Sequence, residues 1–258
     1  MDLARPTVAF DVTPLLGFRT GMGLSTEGMW SALGALDPGP VLRPYALGVD
    51  APAGILPAGT RHIRLPTRAL IGVWSRTNRL NMDRWLPPSD VLHATNFAVG
   101  PTARPTLLTV QDIGFALFPE TADAVTRTFP GMLRRAIGRG AHVHVTTRHL
   151  AEQVDAYFGP GLLAAGRLAV VPLGIPDLGP PGVLPAAVVT GLAGRPYVLA
   201  LGSQERRKNL PVLIEAFGRA AGDLDDLCLV LAGPDGAGTP AVSAAVAALP
   251  AAVRTRVI

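Results

Sequence analysis

Three cations stand in a row in "LGSQERRKNLPVLIEAFGRA", residues 201–220: Arg206, Arg207 and Lys208. They follow the apolar run "YVLALG" (197–202) and precede a segment that sets Leu210, Leu213, Phe217 and Ala220/Ala221 on one helical face. This spacing predicts a strand, a short loop and a helix, with Asn209 as N-cap and Pro211 in the first turn. A helix start offers unpaired N–H groups and the positive end of the dipole. Arg207 and Lys208 added there make a seat for a phosphate or diphosphate. A solvated surface loop would carry the same charges, and charge alone does not separate the two readings. No GxxxxGK[ST] is present, so the segment is not a P-loop. Gly21 and Gly23 in "TGMG" are a second candidate, since glycine lets backbone N–H groups approach a phosphate or sugar. A G-x-G by itself is equally a turn.

The elements that must position these groups alternate along the chain. Apolar runs at 7–12, 41–47, 61–65, 90–94, 106–110, 142–146 and 168–172 read as strands. Helical patterns lie near 22–36, 68–82, 121–138 and 147–158. Continuous rather than alternating apolar runs point to parallel strands buried on both faces. The Pro/Gly-rich stretch 174–196 reads as a linker between an N-terminal domain, 1–173, and a second block, 197–258. That block holds a strand, the helix at 209–222, a strand at 226–233, a helix at 240–249 and "RTRVI" as the start of a third strand. The expected class is α/β, with one complete Rossmann-like domain and about half of a second. On that reading the chain is a piece of a longer protein and has little activity alone.

Composition narrows the partners. Of 258 residues 48% are hydrophobic and only 16% charged, against about 25% in an ordinary soluble domain. The net charge of +4 is too small and too scattered to argue for nucleic acid. The single Cys228 sits in an apolar run and reads as a buried thiol in a cytosolic protein. No signal segment or apolar run of about 18 residues is present. In 67–85, helical spacing places Arg68, Arg76 and Arg79 within roughly an 80° arc opposite Leu70, Trp74 and Trp85. Such a helix either rests on an anionic membrane or covers a core with its arginines in water. His142 and His144 alternate along a strand and read as structural.

The blocks "YVLALGSQERRKNLPVLIEAFGRA…CLVLAGPDG", "VLHATNFAVGP", "LLTVQDIGFALFPE", "LRRAIGRGAHVHVTTRHLAEQV", "RLAVVPLGI" and "DVTPLLGFRTGMGLSTEGMWSAL" resemble, in order, those of GT-B glycosyltransferases of the retaining family four, "glycosyl transferases group one". The resemblance spans nearly the whole chain. It implies transfer of a sugar from a nucleotide-diphosphate donor to a glycan or lipid-linked acceptor, with retention and without a metal or further cofactor. Cell-envelope or polysaccharide synthesis is the implied setting, in the cytoplasm or on the inner face of the plasma membrane. The donor would lie in a cleft between the domains. Arg207 and Lys208, with Gly21 and Gly23, would hold its diphosphate. Met22, His93, Asn96, Gly202 and Ser203 would line the cleft, and Gln111 and Asp112 would stand at the reacting sugar.

Departures from the family pattern fall inside the same set. A histidine is common where this chain has Gln111, and glutamine can donate to a sugar hydroxyl but cannot titrate. Leu24 and Ser25 stand where an aromatic is usual, and Ser203 where the residue is commonly bulkier or cationic. Asp112 orients its loop or caps the next segment. His93 is a cleft residue or a satisfied near-core histidine. No equivalent of the family's Glu-x7-Glu element is present. A non-catalytic relative that binds a sugar nucleotide or glycan is therefore the alternative, and a GT-B epimerase or phosphorylase a distant third.

Overall fold

Seven short apolar runs become one parallel sheet in the computed structural model, which describes residues 5–17, 20–52, 54–175 and 179–258. The strands are β1 Thr7–Asp11, β2 Val41–Leu47, β3 Arg61–Ile63, β4 Val91–Ala94, β5 Thr106–Val110, β6 His142–Val145 and β7 Leu168–Val170. Their order is β3-β2-β1-β4-β5-β6-β7. The chain grows outward from β1 to β3, then returns to the other side of β1 to place β4. The β1/β4 junction is therefore the switch point of a doubly wound sheet, and ligands of such sheets bind outside the strand carboxyl ends there.

Both faces of the sheet are covered, as the continuous apolar runs require. In β1, Ala9 joins one core and Phe10 the other, because successive strand residues point to opposite faces. The Ala9 face packs Tyr45, Leu92, Leu108 and Val143 against α2 (Thr67–Trp74), α4 (Phe129–Gly138) and α5 (Arg148–Phe158). The Phe10 face packs Val12, Leu15 and Ala46 beneath Met29, Trp30 and Leu33 of α1 (Gly21–Gly34). A short helix, α3 (Gly114–Leu117), follows β5.

Two helices are shorter than their sequence patterns. The expected helix over 68–82 ends at Trp74. The Ser75 and Thr77 hydroxyls and the Arg76 guanidinium bond back to the last carbonyls, at Gly72 and Val73, and Trp74 Nε1 donates to Leu80 O. Arg68, Arg76 and Arg79 thus do not share a continuous helical face, while Leu70 and Trp74 are core residues. The continuous helix expected over 68–82 is corrected accordingly, and Leu70 and Trp74 fit the alternative of a helix that covers the core. The pattern at 121–138 begins only at Phe129, with Pro130 in its first turn. Upstream, Asp123 Oδ1 accepts from the N–H groups of Val125 and Thr126 and holds a separate turn. No described helix is long and apolar enough to cross a membrane.

The chain divides into two compact units, residues 1–176 and 177–258. The stretch expected as a linker holds α6 (Ala186–Leu192), and 176–178 of it lie outside the described residues. In the second unit β8 (Tyr197–Leu201) pairs in parallel with β9 (Cys228–Ala232). Val257 bridges Leu229 on the far side of β9, so "RTRVI" does begin a third parallel partner. Ile214 and Phe217 of α7 (Leu210–Ala220) pack on Leu229, Val242 of α8 (Thr239–Ala248) and Val253 of α9 (Ala251–Arg254). Tyr197, Val198, Leu199 and Leu201 of β8 stay exposed, and Cys228 is buried.

Arg256 closes this small core. It is 7% exposed, yet its partners are all carbonyls: Leu224 O at 2.7 Å, Asp225 O at 2.9 Å and Ala221 O at 2.8 Å. The guanidinium sits on the negative end of α7, where helix carbonyls have no intrahelical donor. Arg256→Met leaves the carbonyl of buried Ala221 unpaired and removes the bonds that tie the exposed 224–225 loop to the end of α7. We expect a loss of about 2–4 kcal/mol of stability in the second unit. Hydrogen exchange of peptides spanning 210–232 reads this directly, and unchanged protection would show that the guanidinium does not hold the end of α7.

Candidate functional site

The carboxyl edge of the seven-stranded sheet gathers the residues expected on the first unit. β1 ends at Asp11, whose carboxyl is fully buried. Its Oδ1 accepts from Thr13 N at 2.8 Å, and Thr13 Oγ1 accepts from Leu47 N at 2.9 Å. Thr95, just past β4, donates to Asp11 O at 2.7 Å and meets Thr26 of α1 at 3.5 Å. These bonds tie the ends of β1, β2 and β4 to α1. Asp11 Oδ2 and Tyr45 Oη, on paired strand positions, are buried without a partner.

Gly21, Met22 and Gly23 form the first turn of α1 rather than a loop before it. Thr20 stands at the N-cap, and its side chain makes no capping bond to the opening N–H groups. Met22 leans on the core. Gln111, at the end of β5, donates from Nε2 to Ser25 Oγ at 3.2 Å. Two of the positions where this chain departs from the resembled pattern, Gln111 and Ser25, are therefore in contact with each other. Among the described residues the amide oxygen and the second N–H of half-buried Gln111 have no partner. Asp112 Oδ1 accepts from Gly114 N at 2.9 Å and so caps α3. Asn96 bonds to Phe97 N and stays half-buried at the end of β4.

His93 lies elsewhere: it is 5% exposed and inside the sheet layer. Its Nε2 is 2.9 Å from Thr109 Oγ1, which is 3.0 Å from His144 Nδ1, and His144 Nε2 is 3.0 Å from Val171 O. A carbonyl can only accept, so His144 donates to it and Thr109 donates to His144, leaving Thr109 to accept from His93. The three side chains form one directed relay across β4, β5 and β6. Sequence alternation marks His144 as structural, but nothing in the sequence links it to His93.

In the second unit the three cations form a single 3-10 turn, Arg206–Lys208, between the end of β8 and α7. Asn209 follows in the left-handed region, at φ 49°, and its side chain caps nothing. The first turn of α7 is left open to an anion. Arg207 and Lys208 are exposed, and among the described residues neither has a carboxylate within ion-pair distance. Lys208 folds back so that Nζ occupies the place of a Cβ at residue 202. That flexible end could move aside, and it is the φ of +130° that favours glycine at residue 202. Ser203 is half-buried beside it. The loop after β9 supports the turn from below. Gln204 N donates to Pro234 O at 3.0 Å, Gly238 N to Gln204 O at 2.7 Å and Arg206 Nε to Ala237 O at 3.3 Å. Gln204 Oε1 is buried with no partner, a feature the sequence did not mark. No group of three or more described His, Cys, Asp or Glu residues is placed to hold a metal.

This geometry belongs to an α/β GT-B architecture, with its parallel seven-stranded sheet. Among solved structures the chain is similar to "WaaG, a glycosyltransferase involved in lipopolysaccharide biosynthesis", with a TM-score of 0.60 and 17% identity over 98% of this chain and 68% of that one. No family model and no curated protein matches the chain.

Two buried groups of the first unit titrate in opposite senses. Burial raises the Asp11 carboxyl from 3.8 to about 6, against the hydrogen bonds from Thr13. Burial, helped by His144, lowers His93 from 6.5 to about 4. The raised Asp11 contributes stability below 3.8 that is lost as pH rises to about 6. The lowered His93 contributes stability above 6.5 that is lost as pH falls to about 4. Between pH 4 and 6 the two slopes, each about 1.4 kcal/mol per pH unit, cancel. Asp11→Asn should expose an acid-labile slope over that window, and His93→Gln the reverse slope. Urea midpoints read by the fluorescence of Trp30, Trp74 and Trp85 check this, and parallel profiles for both variants would refute it.

Proposed function

We propose that this chain is a glycosyltransferase that moves a sugar from a nucleotide-diphosphate donor to a glycan or lipid-linked acceptor with retention. The observation that carries the reading is the exposed, unpaired Arg207–Lys208 pair at the open start of α7. As the glycosidic bond breaks, negative charge grows on the leaving diphosphate. Two fixed cations and a helix N-terminus stabilise that charge more in the transition state than in the ground state. Cations held this way do the work of a divalent metal, so the reaction is metal-independent. The likeness to a glycosyltransferase of lipopolysaccharide biosynthesis supports transfer chemistry and a cell-envelope setting, on the cytoplasmic side where nucleotide sugars are made.

On the first unit, Gly21 and Gly23 at the start of α1 meet the donor diphosphate and the Gln111 amide meets the reacting sugar. Ser25 fixes the Gln111 amide, and Asp112 fixes the loop that carries it. The absence of a titratable group at Gln111 favours a second reading, a relative that binds sugar nucleotides without turnover.

Arg207→Ala/Lys208→Ala should weaken binding of uridine, guanosine or adenosine diphosphate by several kcal/mol, at about 1.5–3 kcal/mol for each charge-assisted contact. Calorimetry on the parent chain and the double variant decides the site. Equal affinity in both removes the diphosphate reading. Binding without release of sugar from any nucleotide sugar selects the second reading.

A further inference from the structure

A cavity of about 490 Å³ opens at the amino-terminal ends of β4, β5 and β6, the edge opposite Asn96 and Gln111. Val91, Thr106, Leu107 and His142 come from the strand starts, and Arg104 and Arg139 close its sides. None of its described lining residues is acidic.

Arg139 is the unusual member. It is half-buried just past the end of α4, and its two bonds go to neutral acceptors, Asn78 Oδ1 at 2.9 Å and Gly100 O at 3.2 Å. Among the described residues no carboxylate lies within ion-pair distance of it. Burial first, and the like charge of Arg135 second, lower its pKa. A cation held in that setting is short of a counter-charge. Arg104 is different: Asp83 Oδ1 at 3.2 Å and Ser89 O at 3.1 Å fix and largely neutralise it. One guanidinium is therefore a rigid wall and the other an unanswered charge. Both forks are already positioned, so an anion entering between them orders little.

We propose that this amino-edge cavity binds a phosphomonoester, with Arg139 on the phosphate and Arg104 and His142 beside it. A guanidinium fork matches two phosphate oxygens. The volume exceeds that of a bare phosphate and falls in the range of about 300–1,000 Å³ typical of small-ligand sites. The aliphatic walls at Val91 and Leu107 take a small organic remainder. The site is separate from Arg207 and Lys208 and does not depend on the reading of that turn. A soluble phosphate ester and the headgroup of an anionic lipid share the chemistry.

The test uses the full chain carrying Arg207→Ala/Lys208→Ala, so that the other candidate anion site is silent. Inorganic phosphate and glycerol 3-phosphate are titrated by calorimetry at low ionic strength. Phosphatidylcholine vesicles doped with phosphatidic acid are assayed by flotation. Binding should weaken about tenfold or more in Arg139→Gln. It should weaken similarly in His142→Glu, an exposed rim substitution that leaves the Arg139 hydrogen bonds untouched and keeps the test decisive if Arg139→Gln misfolds. Binding of the soluble ester with loss in His142→Glu supports the site and a soluble ligand. Vesicle binding with the same loss and no response to the soluble ester supports the site and a lipid source. No binding in either arm, or binding indifferent to His142→Glu, overturns it.

Discussion

The pairing of β1 with β4 is the constraint on which the first unit rests. It joins Val8 to Val91, Ala9 to Leu92 and Phe10 to His93, across about eighty residues of chain. Once made, it fixes the reversal of strand order and brings two strand ends together where two chain directions diverge. The backbone groups at that divergence cannot be satisfied by a further strand. Here they are met by Thr95, Thr13 and the Asp11 carboxyl, and the start of α1 is set above them. The same pairing buries Asp11 and His93, one on each face of the sheet. Burial at that contact holds His93 neutral and biases the Asp11 carboxyl toward its neutral form, raising its pKa to about 6.

The second unit solves a similar problem with glycine. Gly202 ends β8 and Gly233 ends β9, and a Cβ on Gly233 would run into the Gly202 backbone. The two loops can therefore lie backbone against backbone. Gly236 and Gly238 extend that contact, with Gln204 O in the place of their missing side chains at 2.8 and 2.7 Å. The outcome is a stiff platform under Arg206–Lys208, built with hardly any side chain. Three charges that would be spread along a free loop are gathered in one exposed turn.

Most strands were legible because a buried parallel strand tends to read as a short apolar run bounded by turn residues, although β6, with its alternating histidines, does not. The helix ends were less so. Helical periodicity runs on through Arg76 and Arg79, but it says nothing of the side chains that bond back to Gly72 and Val73 and stop the helix at Trp74. At the site the chemistry of single segments could be read: a cation triplet, a glycine pair, an amide after a strand. What met what could not. Gln111 finds Ser25 from 86 residues away, and Thr26 finds Thr95 from 69. The relay of His93, Thr109 and His144 needs three strands in register before any of its bonds exists. Such contacts are products of the sheet and have no local signature.

Arginine is nearly the only cation in this chain, so its abundance carries no functional message, and position has to sort one arginine from another. Arg256 and Arg167 are spent on carbonyls inside the fold. Arg195 caps the end of α6 through Leu192 O and Gly191 O. Arg5, Arg104 and Arg219 face carboxylates. Each of these charges is answered by the protein itself, so each is explained by stability. Arg207 and Lys208 are answered by nothing among the described residues, although the backbone beneath them is packed too closely to let them drift. Arg139 is held by neutral oxygens, as Arg256 is, and differs from it in lining an open cavity on the first unit.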